Sequence, residues 1–127
     1  MKRSQINAAL KEMEKMAKKQ HFLLPPFCHF TPEDWQNKGE VFDEIRDNML
    51  GWDITNYGLG DFESKGISLI TLRNGNPQNT KYNKPYAEKL LFLIEGQMAA
   101  MHFHWNKMED IINRAVIFSL QFITQHL

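Results

Sequence analysis

Apolar residues at Ile6, Leu10, Met13 and Ala17 recur four, three and four positions apart, with mostly charged and polar residues between them. That recurrence lays one stripe along a helix and predicts α-structure over residues 5–19, with Ser4 as its N-cap and the stripe facing a core. Pro25-Pro26 stops any continuation. Thr31-Pro32-Glu33-Asp34 reads as a second start: a capping hydroxyl, proline at the first helical position, then acids that complement the positive end of the helix dipole. A short helix carrying Trp35 follows, and "EVFDEIRDNML" adds a further turn or two. Gly51, Gly58 and Gly60 then mark a loop between Trp52 and Phe62.

From Gly66 the pattern changes to β. "ISLITLR", residues 67–73, is short, rich in β-branched residues and closed by Asn74-Gly75-Asn76, a turn signal that opens a polar loop to Pro85. "EKLLFLIE" and "QMAAMHFH" flank Gly96, so residues 88–95 and 97–104 are expected to form an antiparallel hairpin about that glycine. "EDIINR", residues 109–114, is a further strand with Glu109 at its start.

Composition narrows the class. A 127-residue chain with 43% hydrophobic and 24% charged residues suits one soluble globular domain. Fifteen basic residues balance fifteen acidic ones, so there is no bulk field to draw nucleic acid or an anionic membrane, and a small or neutral ligand is the expectation. The basic start Met1-Lys2-Arg3-Ser4 leads into an amphipathic segment rather than an apolar one, and no run reaches membrane-spanning length, so a cytoplasmic protein is expected. Cys28 stands alone, which leaves no disulfide framework and no thiolate ligand set. Every Lys, Arg, Asp and Glu lies at or before Arg114, and "AVIFSLQFITQHL" from Ala115 to Leu127 has none.

The chemistry concentrates in "GQMAAMHFHWNKME", where Gly96, His102, His104 and Glu109 form Gly-x5-His-x-His-x4-Glu. Histidines one residue apart project from one face of a strand, because side chains alternate with period two, and a carboxylate can return after a short turn. Two imidazoles and a carboxylate suit a divalent metal such as Mn, Fe, Zn, Co or Ni, with coordination positions left for substrate or water. Lys107, between them, reads either as a solvated turn residue or as a cation that steadies a polarised oxygen. Trp105 suits a packed aromatic or the wall of a sugar site, and Asp110 alternates away from Glu109. Trp52, Asp53, Tyr57 and Asp61 share a glycine-rich loop whose side chains suit carbohydrate hydroxyls without singling out one residue. His21, His29 and His126 have no ligand partner at a suitable spacing.

Gly-x5-His-x-His-x4-Glu is the first motif of the cupin superfamily. With "RSQINAALKEMEKMA", "FTPEDW", "EIRDNMLGWDITNYGLGDF", "TLRNGN" and "KPYAEKLLFLIEGQMAAMHFHWNKMEDIINR", the chain resembles the bacterial D-lyxose isomerases from residue 1 to about Arg114. The resemblance implies a mainly β protein with N-terminal α-helices, a cupin-type β-barrel, a bound divalent metal (manganese as a rule), a homodimer, and interconversion of D-lyxose with D-xylulose or of D-mannose with D-fructose. It makes His102, His104 and Glu109 the metal ligands and sets Lys107 close to the sugar.

The departures define three segments: a helical and loop region at 1–65, the first part of the barrel at 66–114, and a divergent tail at 115–127. The motif closes with glycine where this chain has Val116, family members are substantially longer, and a second motif with a fourth histidine has no counterpart here. A shifted reading frame or an equivalent truncation after Arg114 is the expectation. The barrel is then incomplete, prone to aggregate through open edges, and weak in metal binding and isomerase activity. Two alternatives stand beside it, a cupin module that binds sugar without converting it, and a dimer in which the tail strand pairs between chains.

Overall fold

The computed structural model describes residues 1–115 and 120–126, the latter stretch by its backbone. The first helix, α1, spans Arg3–Lys19 and buries Met13 and Ala17 of the predicted stripe together with Met16, while Ile6 and Leu10 are half-buried. It starts ahead of Ser4, at Lys2, because the Gln5 side chain accepts the Lys2 backbone N–H at 2.8 Å and satisfies a donor that would otherwise be orphaned. Lys18 and Lys19 occupy the last turn, where cations suit the helix dipole. After a 3-10 turn at Pro26–His29, α2 (Pro32–Gln36) starts on a reciprocal cap: Asp34 N–H donates to Thr31 Oγ1 at 3.1 Å, and Thr31 N–H donates to Asp34 Oδ2 at 2.8 Å. A second 3-10 turn, Glu40–Phe42, leads into α3 (Asp43–Asp47). The Phe30, Trp35 and Phe42 rings pack edge to face, and Lys38 Nζ lies 4.2 Å from the Phe30 centroid.

Five strands form one antiparallel sheet: β1 (Gly51–Thr55), β2 (Ile67–Arg73), β3 (Tyr86–Phe92), β4 (Met108–Asn113) and β5 (Leu120–His126), in the order β1-β2-β3-β5-β4. One face packs on α1, where Trp52, Ile70, Leu90 and Phe92 meet Met13, Met16 and Ala17. On the other face Ile67 and Leu91 form a smaller apolar patch beside the polar side chains of Thr71 and Lys89. The polar loop between β2 and β3 is tied to α3 at three points: Lys81 to Asp43 at 3.5 Å, Tyr82 Oη donating to Asp47 at 2.6 Å, and Lys84 to Glu44.

The sequence reading changes in three places. The loop expected from Trp52 begins only after Thr55: residues 51–55 are strand, paired from Gly51↔Thr71 to Thr55↔Ile67, because Trp52 and Ile54 alternate onto the α1 face with Asp53 between them. Strand β1 therefore joins the sheet from within the 1–65 segment. Gly96 does form a turn, with φ +79, but the expected strand at 97–104 is absent. Both sides of β3 are already occupied, by β2 and β5, and the chain leans instead on the 62–66 turn. There Gln97 Nε2 donates to the Phe62 carbonyl at 2.6 Å and Met98 bridges to Lys65. Gly66 is required at this crossing, since a Cβ there would stand 2.6 Å from the Phe62 carbonyl oxygen.

Strands β1 and β4 are the two ends of the strand order, so the sheet is open among the described residues, in line with the expected incomplete barrel. The third change concerns the tail, whose residues 120–126 insert between β3 and β4 of their own chain, from Phe92↔Leu120 to Tyr86↔His126. Val116, the departure from the glycine pattern, falls in 116–119, which with residue 127 lies outside the described residues.

Candidate metal centre

Residues 99–107 run without regular structure into β4, so the two histidines are brought together by a loop and not by the pleat of a strand. Their rings stand edge to face with centroids 5.0 Å apart at 81°. His104 Nε2 lies 2.9 Å from Glu109 Oε1, and both side chains are half-buried. His102 is exposed, and its Nδ1 is 2.8 Å from the Ala100 carbonyl oxygen. With Nδ1–H donated to that carbonyl, the imidazole keeps the Nε2 lone pair for a ligand, the arrangement by which metal-binding histidines are commonly oriented.

The donor chemistry fits a divalent ion, with two imidazole nitrogens and one carboxylate on a single loop-strand unit. The 2.9 Å between His104 Nε2 and Glu109 Oε1 is a hydrogen-bonding distance, so the two side chains hold each other in place. Among the described residues, however, no three His, Cys, Asp or Glu side chains close around one point. His104 and Glu109 meet; His102 stands one ring away.

Glu109 pairs through Gln125 with Ala87, and Ile111 pairs through Ile123 with Lys89, so Glu109 and Lys89 lie on the same face of the sheet. Thr71, buried, sits opposite Lys89 on β2, and Asp53 projects from the same face on β1. Burial pushes the Lys89 ammonium below its ordinary value and the charge of Lys107 adds to this, while Glu109 and Asp53 act in the opposite sense. A file of polar groups thus crosses the face away from α1 and ends at the imidazole–carboxylate pair.

Sequence reasoning missed Lys89. Its signal was available: in "EKLLFLIE" the residues two and four beyond Lys89 are Leu91 and Leu93, so period two sets a lysine on an apolar face. Lys107 is exposed, yet close enough to Lys89 to act on its charge. Asp110 points to the opposite face from Glu109, as alternation requires. Trp105 is 86% exposed and stacks edge-on with Phe103 at 4.9 Å. Trp52 belongs to the core, 6.3 Å from Phe92, with its Nε1–H donated to the Cys28 carbonyl. Tyr57 adopts a positive φ of 55 in a turn, and Asp61 accepts the Ser64 N–H. His29 pairs with Glu14 at 3.5 Å, His21 lies at the end of α1, and the His126 backbone pairs with Tyr86 and Met108. Burial pushes the Cys28 thiol up to about 12, which removes it as a ligand or nucleophile.

The fold and site define a helix-backed antiparallel β protein with a histidine–carboxylate centre on its open polar face. A family model described as D-lyxose isomerase matches residues 1–122, past Arg114 and into the uncharged tail. The chain belongs to the D-lyxose isomerase family. It is 46% identical over 115 residues to a D-lyxose/D-mannose isomerase of Serratia proteamaculans, a match covering 90% of this chain and 50% of that protein. A D-lyxose/D-mannose isomerase of Escherichia coli O157:H7 is 44% identical over 115 residues, covering 90% of this chain and 51% of the relative. The chain spans about half the length of the curated relatives it matches. No helix among the described residues is long and apolar enough to cross a membrane.

Proposed function

We propose that this chain carries part of the site of a metal-dependent aldose–ketose isomerase acting on D-lyxose and D-xylulose, or on D-mannose and D-fructose. The observation that carries the reading is the His104–Glu109 pair at 2.9 Å with the His102 ring beside it, in a chain of the D-lyxose isomerase family. His102, His104 and Glu109 are the proposed ligands of a divalent ion, Mn2+ by resemblance, within a cupin-type barrel of which this sheet is a part. Bound there, the ion supplies a Lewis acid for the sugar oxygens. Lys89 and Lys107 place positive charge beside those oxygens, where it favours the negative charge that develops as hydrogen moves between C1 and C2. Asp53 and Thr71 offer hydrogen-bond partners to hydroxyls further along the chain of the sugar.

A second reading, a cupin module that binds sugar without converting it, is favoured by the exposure of His102 and Lys107, since catalytic electrostatics weaken where water has access. Titration of the 127-residue chain with Mn2+, followed by electron paramagnetic resonance, tests the ligand set. Glu109→Gln is expected to weaken binding by about tenfold or more, and equal affinity in the variant would refute the site. Product assays with D-lyxose and D-mannose on the loaded chain separate the readings. Thermal stabilisation by sugar without product supports the binding module, and turnover supports the isomerase at a rate expected to lie well below that of the Serratia proteamaculans relative.

A further inference from the structure

On α1 a second stripe runs beside the one that faces the core. Gln5, Ala8, Ala9 and Glu12 follow helical spacing and share one flank of the helix. With only methyl groups at its middle, this flank leaves a cleft of about 450 Å³ between the helix and Asp61, Phe62, Glu63 and Ile94. A volume of that size suits a small organic molecule.

The cleft has a blind inner end. Glu12, Phe62 and Ile94 also line a second cavity of about 30 Å³, which Met13, Phe92, Ser68 and Gln97 close off. That space takes one small group. Ser68 alternates with Ile70 onto the α1 side of β2 and is 4% exposed, and its hydroxyl makes no hydrogen bond among the described residues. Beside it the buried Gln97 side chain accepts the Ile94 N–H and donates to the Phe62 carbonyl, which leaves one amide hydrogen to give. A buried hydroxyl costs free energy unless a polar group meets it, so the inner end calls for a hydrogen-bonding partner.

The rim is anionic. Glu12, Asp61 and Glu63 line it, and among the described residues no lysine or arginine does. The Ser64 N–H, donated to Asp61 at 3.1 Å, holds that carboxyl below its ordinary value and keeps it charged at neutral pH. Lys15, 3.5 Å from Glu12, and Lys65, near Asp61, temper the charge from outside the cleft. Between rim and inner end the walls are apolar, formed by Ala8, Ala9, Phe62 and Ile94. We infer that this cleft binds an aliphatic amino alcohol, its ammonium at the three carboxylates, its stem along the apolar walls and its hydroxyl at Ser68 and Gln97. Every wall lies within residues 5–97 on the α1 side of the sheet, whereas Lys89 and Glu109 face the other side, so the inference stands independently of the proposed metal centre.

Amide chemical shifts of the isotope-labelled full chain, titrated with ω-aminopentanol, test this, with pentylamine and ω-hydroxypentanoate as comparators. Saturable shifts at Phe62, Ser68 and Gln97 are expected with the amino alcohol. Pentylamine, which lacks the hydroxyl, should bind about threefold more weakly, and the anionic hydroxy acid should not bind. Glu12→Gln is expected to weaken the amino alcohol by about two- to fivefold, and Ala8→Leu to fill the cleft and block it. Both positions are exposed, so these changes leave the core alone, and circular dichroism checks the fold. Ser68→Ala should make amino alcohol and amine bind equally, a change of preference that a purely structural role for Ser68 does not produce. Absence of saturable shifts, binding of the hydroxy acid as tight as that of the amino alcohol, indifference to both Glu12→Gln and Ala8→Leu, or a preference for the hydroxyl that survives Ser68→Ala would each overturn the proposal.

Discussion

Among individual residues, Lys89 has the most unusual setting. It is a half-buried cation beside a second cation, held between Glu109 and Asp53 on a face that carries the proposed metal ligands. Its ammonium is disfavoured by burial first and by Lys107 second, so between the lowered value and the ordinary 10.5 the unfolded chain binds more protons than the folded one. Stability from this group therefore increases as pH rises through that window, and Lys89→Met removes the increase. The same substitution takes a positive charge away from the proposed divalent-ion site. Mn2+ affinity is expected to rise severalfold while stabilisation by D-mannose falls, a divergence that paired metal and sugar titrations by calorimetry would detect. Loss of both affinities together would mean that the residue matters for the fold alone.

Local rules decide some elements and not others. The Thr31–Asp34 cap needs only four neighbouring residues, which is why the start of α2 was legible. Strand β2 was legible over its full span, because Ile67 to Arg73 is β-branched and ends at a turn signal. The cap also predicts an acid response. The Thr31 backbone N–H, with a further contribution from its hydroxyl, holds the Asp34 carboxyl below its ordinary 3.8. A depressed carboxylate contributes stability that is present above 3.8 and lost as pH falls through the lower folded value. The melting temperature should fall in that acid window, and Asp34→Asn should flatten the dependence while lowering the melting temperature by a few degrees near neutral pH. Thermal melts across the window in both proteins check the sign. Strand β1 was hidden for the opposite reason: the glycines around it read as loop, and only pairing with β2 reveals that Trp52 and Ile54 share a face. The expected hairpin about Gly96 is absent because β5, distant in sequence, holds the side of β3 that residues 97–104 would have used.

On the scale of the whole molecule, one main core between α1 and the sheet supports everything else, and Ile70 and Leu90 at its centre are fully buried. Leu90→Ala is expected to cost about 2–5 kcal/mol, read as a lowered urea midpoint with unchanged slope. A much smaller cost would mean that the sheet is held mainly by its edges. The sequence by itself determined what depends on neighbours along the chain: the amphipathic stripe of α1, the capped start of α2, strands β2 and β4, and the residue types of a histidine–carboxylate centre. Tertiary structure decided what depends on pairing at a distance. It made Gly51–Thr55 a strand, inserted β5 between β3 and β4, and set Lys89 beside Glu109. The physical reason is that a backbone hydrogen-bonding edge accepts one partner, and which segment occupies it is settled by competition across the whole chain rather than by the pattern within any one stretch.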